Sequence, residues 1–90
     1  MWTPEQAKDQ IKELAELKVQ QPGGMTFPRA TFDQLDRAFR AAAQLHRLSQ
    51  HQEDKYGMYT WGVWIAATYN ALKNKRAALY KSQAHADPDQ

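Results

Sequence analysis

Thr31-Phe32-Asp33-Gln34-Leu35-Asp36-Arg37-Ala38-Phe39-Arg40-Ala41-Ala42-Ala43-Gln44-Leu45-His46-Arg47-Leu48-Ser49-Gln50-His51-Gln52 is the stretch whose pattern decides the fold. Gln34 follows Thr31 by three residues. That is the capping-box spacing, in which each side chain bonds the other residue's backbone N–H. A helix is therefore expected over 32–52. At about 100° per residue, Phe32, Leu35, Phe39, Ala42, Ala43 and His46 share one stripe, and Ala38, Ala41, Leu45 and Leu48 form a second beside it. Asp33, Asp36, Arg37, Arg40, Gln44 and Arg47 fill the narrow remaining arc. An apolar arc this wide marks a helix that touches neighbours on two sides, and its alanines permit close helix–helix approach. This is expected to be the central helix.

On the C-terminal side the polar run His51 to Gly57 reads as a connection. Gly57 can take positive φ there. The pattern leaves open a true turn and a kink within one long bent helix. A third helix is expected over 59–83. Trp61, Ile65, Thr68, Leu72 and Leu79 line one face, and Val63, Ala66 and Ala67 make the opposite side apolar too. After Leu72 the helix turns basic, which suits the partial negative charge at a helix C-terminus. Residues 84–90 read as a flexible tail.

On the N-terminal side, Thr3-Pro4-Glu5-Gln6 repeats the capping pattern, with proline at the first helical position. Ala7, Ile11, Leu14, Ala15 and Leu17 recur at helical spacing, so a helix is expected over 4–20, ended by Pro22-Gly23-Gly24. The linker from Pro22 to Ala30 holds Met25 and Phe27, expected to pin it onto the core. No strand is expected, because no run alternates with period two. The fold class that follows is all-α: one domain over residues 1–90, a small antiparallel three-helix bundle.

The chain has 90 residues, no cysteine and a formal net charge of +2. Disulfides and thiolate metal sites are excluded, and stability must come from packing or self-association. The net charge is too small to make the whole chain a polyelectrolyte binder. Tyr56 to Leu72 is the longest uncharged run. It falls short of the ~20 mainly apolar residues that a membrane span needs. The first ten residues lack the basic-then-apolar pattern of a secretion signal. A soluble, cytoplasmic protein is expected.

Catalytic chemistry finds little support. His46 and His51 are five apart and point to different faces, where a helical zinc pair wants four; His85 lies in the tail. His46 and Ser49 are within reach on one helix, but a serine–histidine contact without a third group and an oxyanion site is not an active site. Asp33 and Asp36 sit at a helix N-terminus, where negative charge is favourable in any case. No glycine-rich loop with Lys-Ser/Thr leads into a helix. No enzyme activity, cofactor or metal is expected.

Two binding readings remain. Met58, Tyr59, Trp61, Gly62, Trp64 and Tyr69 crowd into one segment, rich in the residue types that dominate interface centres. Gly62 costs ~0.5–1 kcal/mol against alanine mid-helix, which makes sense if a ring or backbone packs on it. These rings either fold inward as core or face a partner. The favoured expectation is an interface with a protein partner, including a second copy, so that the chain forms homo-oligomers. Arg40, Arg47, Lys73, Lys75 and Arg76 are then expected to steer the partner. The other reading is nucleic-acid binding. No acidic residue lies between Asp36 and Glu53, nor between Lys55 and Asp87. Arg37, Arg40, Arg47, Lys73, Lys75 and Arg76 would then line a basic face for phosphates. Small size, absent cysteine and the lack of catalytic groups suit a regulatory, inhibitory or accessory protein of a bacterium or phage.

Overall fold

The computed structural model describes the backbone of residues 1–85 and the side chains of residues 1–81. The chain is mostly helical, with three helices and one small two-stranded sheet, in the order α1 (Pro4–Ala15), β1 (Val19–Gln21), β2 (Gly24–Thr26), α2 (Phe32–His51) and α3 (Lys55–His85).

Both capping boxes form. The Thr3 hydroxyl accepts from the Gln6 N–H at 3.2 Å, and the Thr3 N–H donates to Gln6 Oε1 at 3.0 Å. At Thr31 and Gln34 the same two bonds measure 3.1 and 2.9 Å. Reciprocal caps satisfy N–H groups that would otherwise lack a partner, so both helices start where the local sequence says.

The expected course of the first helix is corrected. It ends at Ala15 rather than near residue 20. The Leu17 N–H donates to the Leu14 carbonyl at 2.9 Å and the Lys18 N–H to the Ala15 carbonyl at 3.2 Å, tightening the last turn. The chain then forms a hairpin where no strand was expected, with Val19 facing Thr26, Gln20 facing Met25 and Gln21 facing Gly24. Pro22 fixes its own φ at the turn, and Gly24 takes φ +130°, open to glycine and strained for other residues. The fold is mostly helical, as expected, with the addition of this small sheet. Phe27 is buried and Met25 packs beside it, so the apolar pair does pin the linker to the core.

α2 is the element that both other helices pack against. Leu35, Ala38, Ala41, Ala42 and Leu45 are buried along it. One core cluster joins Ala41, Ala42 and Leu45 to Ala7 and Ile11, with Trp2, Trp61, Trp64 and Ile65 packed around. A second joins Leu35 and Ala38 to Leu14, Phe27 and Ala30, with Trp64, Ala67, Ala71 and Leu72 around it. Trp64 belongs to both, its ring centroid 5.9 Å from that of Phe27. Thr68 is fully buried, and its hydroxyl donates to the Trp64 carbonyl at 2.7 Å.

α2 and α3 are joined by a sharp turn, not a kink. Glu53 adopts φ +53°, a left-handed conformation that closes α2. α3 starts at Lys55, four residues earlier than expected, because the Asp54 carboxylate accepts from the Gly57 N–H at 3.0 Å and acts as its cap. Gly57 thus lies inside the first turn of α3, without the positive φ open to a glycine in this connection. It must be glycine for space: a Cβ there would run into the Ser49 hydroxyl and the Asp54 carboxylate. At its far end α3 continues through 84 and 85, the start of the expected flexible tail; the rest of that tail, 86–90, lies outside the described residues. With 31 residues α3 outruns its 20-residue neighbour, and every residue from Arg76 to Lys81 is exposed. Among the described residues no helix is long and apolar enough to cross a membrane.

Candidate functional site

The aromatic segment of α3 is divided by the helical repeat. Trp61 and Trp64 are half-buried and pack against the core clusters. Tyr59 and Tyr69 stand outward, 74% and 56% exposed. Met58 and Gly62 lie between, half-buried. The indoles are therefore spent mainly on internal packing, and the phenols are what α3 shows to the outside. Tyr56, Tyr59, Val63 and Ala66, all exposed, follow one another at spacings of three and four along one face. Val63 and Ala66 of this row belong to the opposite apolar side expected from the sequence, while Tyr56 and Val63 lie outside the expected interface set. Among the described residues nothing packs closely on Gly62. A Cβ there would find only His46 Cδ2, at an unstrained 3.9 Å.

A second surface gathers residues that are far apart in sequence. Phe39, half-buried on α2, lines two neighbouring clefts. One is completed by Trp2, Arg40, Ala43 and Arg47. The other is completed by Asp36 from α2 and by Tyr69, Leu72, Lys73 and Arg76 from α3. Four of the five steering cations proposed from sequence thus surround one apolar centre. The fifth, Lys75, goes elsewhere, its ammonium 5.4 Å above the Phe32 ring. Within α2, Arg37 pairs with Asp33 and Arg40 with Asp36, each at 3.0 Å. The stripe places Phe39 on the apolar side of α2 and does not say whether it faces a neighbouring helix or a cleft. The available signal is the width of the apolar arc on α2.

Ser49 is buried at the α2–α3 corner beside Gly57, while His46 lies farther along against Gly62. Among the described residues no three histidine, cysteine or acidic side chains cluster as a metal site would need. Hydrophobic area flanked by cations is the main resource these surfaces present. Compared with known protein families, curated proteins and solved structures, the chain matches none.

Proposed function

We propose that the three helices form a small antiparallel bundle that serves as a non-catalytic protein-interaction module. It is a cytoplasmic regulatory, inhibitory or accessory protein that self-associates and presents an aromatic helical surface. The observation that supports this most is the outward row Tyr56, Tyr59, Val63 and Ala66 on α3. Exposed tyrosines interleaved with small apolar residues give contact area at low entropic cost, and helix faces of this kind meet by ridge-and-groove packing. Trp61 and Trp64, half-buried behind the row, act by holding it rigid.

Sedimentation velocity across a range of concentrations tests this. The chain is expected to associate at micromolar concentration, and Val63→Glu with Tyr59→Ser is expected to return it to a monomer. A chain that stays monomeric at ~100 μM, where a standard-sized interface would form, overturns the self-association part.

Nucleic-acid binding is the second reading, favoured by the absence of any acidic residue from Lys55 to His85. The ion pairs of Arg37 and Arg40 and the placement of Lys75 over Phe32 leave Arg47, Lys73 and Arg76 as its free cations among those named. Binding to mixed-sequence DNA or RNA that weakens steeply with salt would support it.

A further inference from the structure

The surface around Phe39 differs from the α3 row in chemistry. Its centre is apolar: Phe39, Ala43 and Leu72 are each half-buried, so each keeps uncovered area, and the Tyr69 ring stands beside them. Its rim carries Arg40 and Arg47 from α2 and Lys73 and Arg76 from α3, all exposed. The acid among the lining residues is Asp36, which Arg40 already holds at 3.0 Å. Four cations and one anion leave a local charge of +3, more than the +2 of the whole chain. Arg47 and Phe39 are two turns apart on α2, and Tyr69 and Arg76 two turns apart on α3. The surface is thus long enough for a few turns of helix.

We infer that this face is a docking site for an acidic amphipathic helix of a protein partner, its apolar stripe on Phe39, Ala43 and Leu72 and its carboxylates toward Arg47, Lys73 and Arg76. The inference rests on the interaction-module reading and adds the chemistry of the partner. Charge complementarity selects the occupant. A nucleic-acid backbone would satisfy the cations but leave the apolar centre uncovered. A second copy does not fit either. The chain's own acidic helix, α1, carries Glu5, Asp9 and Glu13, but its apolar residues Ala7, Ile11 and Leu14 are already buried at home. An apolar stripe flanked by carboxylates is the class of helix that matches both parts of the face.

The test is a fluorescence-anisotropy titration of the full chain with two synthetic helices of ~18 residues sharing one Leu/Phe stripe, one flanked by glutamate and the other by lysine. The glutamate helix is expected to bind at ~50 mM salt and to weaken as salt screens the charges; the lysine helix is expected to bind at least ~10-fold more weakly. Arg47→Glu with Arg76→Glu, both at exposed positions, is expected to cost the glutamate helix at least ~10-fold in affinity, and Phe39→Ala a comparable factor. Should Phe39→Ala unfold the chain, the charge-reversed variant carries the test. Absent binding of the glutamate helix, equal binding of both helices, or indifference to the charge reversal overturns the docking site. So does mixed-sequence duplex DNA that binds through the same cations in preference to the peptide. Because sedimentation of the chain alone reads the α3 row, failure here is distinguishable from failure of self-association.

Discussion

The N–H of Asp54 donates to the carbonyl of Ser49 at 2.8 Å. Together with the bond from the Glu53 N–H to the Gln50 carbonyl at 3.2 Å, this completes a Schellman closure of α2. Since the Asp54 carboxylate also caps α3 at Gly57, one residue ends one helix and begins the next. The chain reverses within Gln52–Asp54, and the buried Ser49 is pressed against the first turn of α3.

Both sides of that corner are expected to be intolerant. Asp54→Ala should cost ~1 kcal/mol, the usual value of a lost N-cap, with Asp54→Asn much milder. Gly57→Ala should cost ~1–3 kcal/mol, because the clash with Ser49 and Asp54 outweighs the gain of ~0.5–1 kcal/mol in helix propensity. Urea denaturation of the three variants gives the order; a stabilised Gly57→Ala would show that the corner relaxes freely.

Glu53 occupies the left-handed position of the closure, where glycine is the usual residue. The conformation costs a non-glycine residue ~1–2 kcal/mol, and glycine's extra backbone entropy takes back part of that. Glu53→Gly is therefore expected to raise stability by up to ~1 kcal/mol, read as a higher urea midpoint at unchanged slope.

Gly62 behaves oppositely to Gly57. A methyl group there has room, so Gly62→Ala should stabilise the folded chain by ~0.5–1 kcal/mol. Thermal melting at low concentration measures this. The same variant run in sedimentation shows whether a neighbouring molecule uses the gap: weakened association alongside a higher melting temperature is expected if it does.

The rings of α3 should separate into two energetic classes. Trp64, shared by both core clusters, is expected to cost ~3–5 kcal/mol on truncation to alanine. Tyr59→Ala, at an exposed site, should stay within ~0.5 kcal/mol in the monomer. Equal losses at the two positions would contradict the division between inward indoles and outward phenols.

Much of this architecture is legible in the sequence where the cause is local. Thr3 with Gln6 and Thr31 with Gln34 announce the starts of α1 and α2, because a capping box needs only four consecutive residues. The wide apolar arc of α2 announces its central place. The hairpin is hidden because strands of three residues are too short for a period-two pattern, and the exposed β1 has no inward face to mark. The start of α3 is hidden because its cap, Asp54, is also the last residue of the preceding closure, and Gly57 resembles a turn glycine while serving a close approach. The candidate surfaces are legible in composition and not in direction. Tyr59, Trp61 and Trp64 sit within two turns of one helix, and only the position of α1 and α2 decides which rings face in. The grouping of Arg40 and Arg47 with Lys73 and Arg76 depends on how α2 lies along α3, which no local spacing encodes.

The last turns of α3 run along the edge of the fold: every residue from Arg76 to Lys81 is exposed, and Arg76 and Ala78 only border clefts shared with α2 and with the β2 segment. Amides there are protected only by the helix's own ladder, so they can open without disturbing the core. In native-state hydrogen exchange this end should lose its protons at a rate set by local fraying and insensitive to mild denaturant. Amides near Trp64 should exchange only when the entire molecule unfolds.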